Sequence, residues 1–281
     1  MKFAVSILLC TLMCQFSHQL VPLMQHGEPV PEGIPFLVGI ITFDHSGDIL
    51  RQCAGALISD NYVLTAQQCI LRNTAIGNSI LEVEAAKAQI FKGGFYFMDE
   101  PLITVFPKDW IRYQHYRSHP VLRNDLLLIR LPSKIPHGKP IGLPCNVNIH
   151  ELDGLTGNVA GWGPSSILAD SLNLQRNILQ YVPANIDLHL CKNQGRFCAT
   201  SDLDRSPCKG DNGSPLVVDG NIVGILSIGE NADICNSFNN ELSVSEYTSI
   251  LEKPYLKWIE KVANISCNAY SEEDATPAIN A

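Results

Sequence analysis

Short apolar and β-branched runs, separated by turn residues, dominate the pattern of hydrophobic and polar positions along this chain. Many short runs at roughly even spacing are typical of antiparallel β-sandwiches and β-barrels. The dipeptide Asp219-Gly220 lies between two of the runs and predicts a tight hairpin. The pattern predicts strands over residues 36–42, 56–58, 62–65, 80–83, 102–106, 126–131, 158–161, 215–218 and 222–228.

One segment near the end of the chain has the spacing of an amphipathic helix. Pro254 suits the first turn of this helix, because proline lacks the N–H group that a first turn leaves unpaired. We therefore expect a helix over about residues 254–264. Its apolar face is formed, at helical spacing, by Tyr255, Trp258, Ile259 and Val262.

Residues 1–19 have the layout of a secretory signal peptide. Lys2 gives a positive start, residues 3–13 are apolar and residues 15–19 are polar. The apolar run is too short to span a membrane, and no later stretch approaches 18 uninterrupted apolar residues. We therefore expect a secreted, extracellular protein with no membrane span.

The two segments that flank the patterned region are expected to be less regular. Residues 20–34 contain proline and glycine and are interpreted as an extended lead-in. Residues 268–281 are polar and acidic, and we expect them to form a mobile tail.

The composition is that of a globular protein. Of the 281 residues, 46% are hydrophobic and 17% are charged, so global disorder is excluded. The formal net charge is −8, and such a surface repels phosphate backbones. We expect no nucleic-acid partner.

The cysteine count agrees with export. Ten cysteines occur, and Cys10 and Cys14 lie in the signal segment. The remaining eight are an even number, which predicts four disulfides, although eight cysteines permit 105 pairings. No C-x-x-C spacing occurs among them, so no metal site is predicted, and no cofactor is expected.

Four segments of the chain are specific enough to compare with known families: CAGALISDNYVLTAQQC (53–69), NDLLLIRL (124–131), AGWG (160–163) and CKGDNGSP (208–215). They resemble segments of the chymotrypsin-like serine proteases and occur in the order and at about the spacing of that family. The similarity extends over residues 33–263.

The resemblance implies an all-β fold of two six-stranded antiparallel barrels, followed by the helix, with the site in the cleft between the barrels. The domain would span residues 35–267, with the first barrel over about 35–131 and the second over about 145–250. The proline-bearing segment 132–144 is a linker between them.

The resemblance also implies disulfide pairings. It suggests Cys53–Cys69, Cys191–Cys198 and Cys208–Cys235. A fourth pair, Cys145–Cys267, is left by these three, and Cys267 lies beyond the positions usual in the family.

The catalytic triad that the resemblance implies is degenerate. Gln68 stands at the histidine position, Asp125 at the aspartate position and Asn212 at the serine position. A carboxamide does not accept a proton at neutral pH and its nitrogen is a poor nucleophile, so only Asp125 can perform its usual role. Even if another histidine took the place of the base, the site would still lack a nucleophile. We expect no protease activity.

The activation machinery of the family is also incomplete. No I-V-G-G segment follows a basic residue near positions 23–26, yet Asp211, which receives the new amino terminus in active relatives, is present. A buried, unpaired carboxylate is costly, so we expect a substitute partner, and Arg51 is the candidate. The alternative is an Asp211 exposed to water on a loose loop.

Some substrate-binding positions of the family are retained. Gly210 and the N–H of Asn212 correspond to the oxyanion donors. The edge that holds substrate backbone corresponds to Ser227-Ile228-Gly229, with Ile228 in place of the usual tryptophan. Pocket positions correspond to Ser206, at the floor, and Ser245, at the wall. These are scaffold residues or the remains of a ligand groove.

Two N-glycosylation sequons occur, at Asn212 and at Asn264. Asn212 lies in a tight loop before Pro215, whereas Asn264 lies at the end of the predicted helix. We expect glycosylation at Asn264.

Three functions are compatible with the sequence. The first is a non-catalytic homologue that binds an extracellular protein of unknown identity, as in immune, salivary, venom or seminal-fluid pathways. The second is a serine-type endopeptidase with residual or unorthodox hydrolase activity. The third is a structural or storage protein.

Overall fold

The computed structural model describes residues 27–76, 79–97, 102–118, 122–145, 147–163, 178–191, 195–202, 206–208, 210–228 and 243–266. The predicted signal peptide, the acidic tail, Gly229, Cys235 and Cys267 lie outside these residues.

Sixteen strands and one α-helix make up the described fold. The strands that precede residue 131 are β1 (Glu28–Pro29), β2 (Leu37–Phe43), β3 (Ile49–Ser59), β4 (Tyr62–Thr65), β5 (Leu71–Ile76), β6 (Ser79–Glu84), β7 (Lys87–Lys92), β8 (Ile103–Val105), β9 (Trp110–Arg112) and β10 (Leu127–Arg130). The later elements are β11 (Thr156–Gly161), β12 (Gln180–Asp187), β13 (Arg196–Ser201), β14 (Pro215–Val218), β15 (Asn221–Leu226), β16 (Ser243–Ser249) and helix α1 (Lys253–Ala263).

The first half of the chain forms a strongly paired antiparallel sheet. Its strand order is β8-β7-β2-β3-β4-β10-β9, and β5 and β6 form a separate hairpin. Apart from Phe43 and Ile49 at two strand ends, the apolar residues of β2, β3 and β10 are almost completely buried, as expected for strands that line a core. Among the described residues no pairing joins β8 to β9, so this sheet curves without closing.

The second half closes on itself. Its order is β1-β12-β11-β14-β15-β16-β13, and β13 also pairs with β12, which makes a closed six-stranded barrel with β1 attached outside. Through β1, residues of the lead-in bind to the second barrel, with Glu28 opposite Tyr181. The all-β class with two barrel-like sheets and a C-terminal helix is thus confirmed, and among the described residues the second sheet closes while the first forms a half-barrel.

The local predictions with a clear physical basis are also found. Asp219 and Gly220 connect β14 to β15, both with positive φ (46° and 74°), as a tight right-twisted hairpin requires. Helix α1 has Pro254 in its first turn. Its apolar face packs on Tyr113, whose ring makes edge contacts with Tyr255 and Trp258.

The ends of several strands meet between the two sheets, and this is where the predicted site lies. A 3₁₀ turn at Gln67–Ile70 follows β4, and Asp125 lies two residues before β10. From the second barrel, Asn212 precedes β14 and Ser227 follows β15. The backbone N–H of Ala54 in β3 donates to Asn212 O over 2.8 Å, which ties the two halves together at this point.

Candidate functional site

Asp125 is the centre of the site and is completely buried. Its Oδ1 accepts from the backbone N–H of Gln68 over 2.8 Å, and its Oδ2 accepts from Gln68 Nε2 over 2.7 Å. Ser227 Oγ donates to the same Oδ2 over 2.7 Å. Three donors therefore satisfy the carboxylate, and the Gln68 carboxamide supplies one of them.

Asn212 is held in place by a different set of bonds. Only 7% of the residue is exposed, and its Oδ1 accepts from the backbone N–H of Ile228 over 2.7 Å. The next residue, Gly213, has a φ of 86°, and a Cβ there would lie 2.1 Å from Thr65 Oγ1. Position 213 therefore accepts only glycine. Within the described residues, no hydrogen bond joins Asn212 to Gln68.

A buried arginine also reaches the site. The side chain of Arg196 is 2% exposed and forms an ion pair with Glu246 over 2.7 Å. Its Nη1 donates to Ser227 Oγ over 3.1 Å and its Nη2 donates to Ser227 O over 2.7 Å. The donors thus form a chain from Arg196 through Ser227 to Asp125.

Asp211 is the second buried carboxylate. Its Oδ1 accepts from Gly163 N over 2.6 Å and its Oδ2 from Cys208 N over 2.9 Å, and the backbone of Trp162 donates as well. Burial raises the pKa of Asp211 to about 6, against the three backbone donors, which lower it.

The space for this carboxylate comes from the glycines of the AGWG segment. A Cβ on Gly161 would lie 2.1 Å from Asp211 Oδ1, and a Cβ on Gly163 would lie 2.4 Å from Oδ2. The two glycines are therefore required by the position of Asp211.

Comparison with known proteins identifies the family. The family model described as Trypsin matches residues 27–259. The chain belongs to the trypsin family. It is 26% identical to granzyme M from Homo sapiens over 253 residues, which are 85% of this chain and 88% of that relative. It is 27% identical to chymotrypsin from Phaedon cochleariae over 241 residues, 83% of this chain and 79% of that one.

Solved structures with a similar fold were also found. A structure described as HL collagenase has a TM-score of 0.65 and 21% identity, and covers 86% of this chain and 99% of its own. A structure described as GrC has a TM-score of 0.62 and 20% identity, with coverage of 85% and 99%. At these identities the likeness concerns the fold alone.

In this trypsin-family chain, the prediction that Arg51 pairs with Asp211 is wrong. Arg51 Nε donates to Leu71 O over 2.5 Å, and the charges that affect the pKa of Arg51 are those of Tyr116, Asp125 and Arg72. Asp211 is completely buried, so the alternative of a water-exposed carboxylate is also wrong. Backbone N–H groups take the role that the sequence argument gave to a cation.

The described residues among the predicted pocket positions are all buried. Ser206, Ser227 and Ser245 are each at most 1% exposed. The hydroxyl of Ser245 has no hydrogen-bond partner among the described residues, and the same holds for Ser243, its neighbour in β16. The third member of the predicted substrate edge, Gly229, lies outside the described part of the chain.

The predicted oxyanion donors are present as backbone groups. Gly210 has a φ of 103°, which glycine adopts without strain. Within the described part of the chain, neither Gly210 N nor Asn212 N donates to another protein group.

Two predicted disulfides are formed in the structure, Cys53–Cys69 and Cys191–Cys198. Cys145 and Cys208 are also disulfide-bonded. Their predicted partners lie outside the described residues, so those two pairings stay predictions.

The sequon residue Asn264 caps the C-terminus of α1 in the left-handed conformation, with a φ of 53°. It is exposed, as is Ser266. The other sequon begins at the buried Asn212.

Neither a metal cluster nor a membrane span was found in the part of the chain that the structure describes. Its residues include no group of three or more His, Cys, Asp or Glu side chains that could hold a metal. Its helices are too short and too polar to cross a membrane.

Sequence reasoning did not identify Arg196 as a site residue. Its strand, RFCATS, is buried on both faces and so lacks the alternation that would mark an inward side chain. The sequence offers no signal that separates this arginine from a surface one.

Proposed function

We propose that this trypsin-family chain is a secreted, non-catalytic homologue that acts by binding another extracellular protein. The observation that carries the proposal is the bonding of the two altered positions. The Gln68 carboxamide donates to Asp125, and the Asn212 carboxamide accepts from Ile228, so each has a structural partner in place of a catalytic one. Neither group takes up a proton at neutral pH.

No described histidine hydrogen-bonds to Asp125, Gln68 or Asn212. The described histidines are all exposed, whereas Asp125 is completely buried. A base that serves the cleft must lie within hydrogen-bond reach of the group that it deprotonates. The described histidines are His45, His115, His137, His150 and His189.

Export and extracellular action are supported by the signal-like residues 1–19 and by the disulfides. The process is proposed only as a class: an immune, salivary, venom or seminal-fluid pathway. The partner is a protein, because the double-barrel surface is retained while the chemistry of the cleft is altered.

Residual or unorthodox hydrolase activity is the competing function. It is favoured by the names of the similar proteins, which include granzyme M, chymotrypsin and the serine protease snk. A storage or structural role is the third alternative, and it predicts no saturable partner.

A peptide-library assay separates these functions. The purified secreted protein is incubated with a proteome-derived peptide library, and new peptide termini are identified by mass spectrometry. We expect no termini beyond those produced by the variant Asp125→Asn prepared in parallel. Termini specific to the intact protein would establish hydrolase activity.

Partner binding requires its own measurement. The tagged protein is used to capture proteins from the fluid into which it is secreted, and affinity is then measured with the purified candidate. Saturable binding supports the proposal, and the absence of any saturable partner supports the storage role.

A further inference from the structure

Two arginines lie opposite each other on the segment that precedes Asp125. Arg117 N donates to Arg123 O over 3.1 Å, and Arg123 N donates to Arg117 O over 3.0 Å, in an antiparallel bridge. Residues directly opposite in such a bridge project to the same side, and like charges there are destabilising. Both arginines are exposed, so an anion from solution can contact the two together.

Helix α1 carries a row of lysines on its exposed face. Lys253, Lys257 and Lys261 occur at intervals of four residues, so they lie on one side of the helix, about 6 Å apart along its axis. All three are exposed. Like charges at this spacing destabilise a helix slightly, and the helix dipole disfavours Lys253 in the first turn while it favours Lys261 in the last.

The arginine pair lies beside the amino-terminal end of the lysine row. Arg123 and Pro254, which is in the first turn of α1, line the same surface cavity. Tyr255 Oη donates to Asn124 Oδ1 over 2.7 Å, which fixes the helix to the residue that follows Arg123. Glu252 also lines this cavity, and within the described part of the chain it forms no ion pair with Arg123.

The two groups of cations together are called the basic surface. It consists of Arg117, Arg123, Lys253, Lys257 and Lys261. Among the described residues, none of the five forms an ion pair with a carboxylate, whereas four other basic residues do. The formal net charge of the chain is −8, so five unpaired cations against the two carboxylates of this helix, Glu252 and Glu260, set this surface apart.

The composition of the basic surface favours a linear polyanion over a folded protein as its ligand. Stable protein interfaces have an apolar centre with aromatic anchors. The large apolar side chains that are exposed on the described residues all lie outside α1 and outside the segment from Tyr113 to Arg123. A chain of anionic groups needs no such centre, because each cation that it contacts adds affinity through the release of counterions.

We propose that the basic surface binds a sulfated linear polysaccharide. Sulfate groups are ionised at every physiological pH and recur along such a chain, so that one chain can contact the lysine row and the arginine pair in turn. The planar guanidinium of arginine suits bidentate contact with an oxyanion, and the flexible lysines supply point charges. A secreted protein meets these polysaccharides at cell surfaces and in the extracellular matrix.

This binding site is separate from the cleft and goes beyond the proposed function. It rests on the proposed secretion, but neither on the loss of catalysis nor on a protein partner. Peptide cleavage, partner capture and polysaccharide binding are therefore separate measurements, and each can fail alone.

The test is binding of a heparin octasaccharide, measured by isothermal titration calorimetry at about 150 mM NaCl, where weak surface electrostatics are screened. The secreted, glycosylated protein is used, because the glycan expected at Asn264 follows Lys261 closely and the site must function beside it. The first variant replaces all three lysines of the row by glutamine, and the second replaces both arginines by glutamine. The control is the triple variant Lys92→Gln, Lys108→Gln and Lys139→Gln, which removes three exposed lysines elsewhere and has the same net charge as the first variant.

We expect saturable binding by the intact protein, with an affinity that falls as the NaCl concentration is raised. Each of the two site variants is expected to bind about tenfold more weakly or worse, and the control to stay within about twofold of the intact protein. Circular dichroism is expected to show all variants folded, because every substituted side chain is exposed.

Three results would overturn the inference. One is the absence of saturable binding by the intact protein. Another is a loss of affinity in the control as large as that in the lysine-row variant, which would show an effect of net charge alone. The third is equally tight binding of a poly-glutamate peptide of matched charge, which would assign the surface to acidic protein segments instead of sulfated polysaccharides.

Discussion

Gln68 Nε2 lies 2.7 Å from Asp125 Oδ2, so a carboxamide fills the hydrogen-bonding position beside a buried aspartate. The amide donates as an imidazole N–H would, and the carboxylate keeps its three donors. The Gln68 carboxamide thus satisfies Asp125 and offers no proton acceptor at neutral pH.

A second carboxyl group at position 68 is expected to destabilise the protein in a pH-dependent way. In Gln68→Glu the new group faces Asp125, and like charges this close raise the pKa of one of the pair. We expect the free energy of unfolding to fall by about 3 kcal/mol at pH 8. The loss is smaller at pH 5, where the pair holds a proton.

Urea unfolding at the two pH values measures this effect. The control is Gln114→Glu, at an exposed glutamine, which is expected to change stability little at either pH. An equal loss at pH 5 and pH 8 for Gln68→Glu would show that the two carboxyl groups do not interact.

Asp211 is expected to make stability fall as pH rises. Burial raises its pKa from 3.8 to about 6 in the folded protein. Between these values the unfolded chain has released the proton and the folded protein has kept it, so the contribution is complete below 3.8 and is lost as pH rises through 6. The loss is at most about 3 kcal/mol.

The comparison with Asp211→Asn isolates this contribution. The variant is less stable at every pH, because a carboxamide presents a donor to backbone N–H groups, but its unfolding free energy is expected to decline less between pH 4 and pH 6. Asp219→Asn, at an exposed aspartate, controls for the lost charge. Parallel pH curves for the intact protein and Asp211→Asn would contradict the expectation.

Gly161→Ala is expected to cost about 3 kcal/mol, at the upper end of the usual range for overpacking. The added Cβ would overlap the Asp211 carboxylate, which is fixed by backbone donors. Gly47→Ala is a useful comparison, because its Cβ meets nothing within 4 Å and only its φ of 88° is unfavourable. Thermal unfolding should rank Gly161→Ala as the more damaging change, and the reverse order would be inconsistent with the Asp211 geometry.

Asn264 is expected to carry an N-linked glycan when the protein is secreted from eukaryotic cells. The residue is exposed at the end of α1, whereas Asn212 is buried and bonded to Ile228. We expect a mobility shift that PNGase F removes and that Asn264→Gln abolishes. Unchanged migration after PNGase F treatment, or a shift that persists in Asn264→Gln, would refute the assignment.

The fold could be predicted from the sequence because the features that identify it depend on residues close together in the chain. The Asp219-Gly220 turn, the apolar face around Tyr255 and the motif segments each reflect short-range requirements. Seven strands were not predicted: β1, β5, β7, β9, β12, β13 and β16. β12 contains Pro183, and β16 directs serines such as Ser243 and Ser245 into the barrel, which inverts the usual hydrophobic alternation.

The site was predictable in its positions and not in its contacts. The motifs identified Gln68, Asp125 and Asn212, whose places in the chain are set by flanking residues. The partners of Asp211 were missed because backbone N–H groups are present at every position and leave no mark in a sequence. Arg196 was missed because its partners, Ser227 and Glu246, are brought to it only by barrel closure.

Labelling with a fluorophosphonate probe is the most direct test of the central claim that the cleft has no working nucleophile. The secreted protein is incubated with a biotinylated fluorophosphonate beside an active trypsin, digested, and searched for modified peptides by mass spectrometry. We predict stoichiometric labelling of the trypsin and no adduct on this chain. A stoichiometric adduct on the native protein that disappears on denaturation would contradict the account.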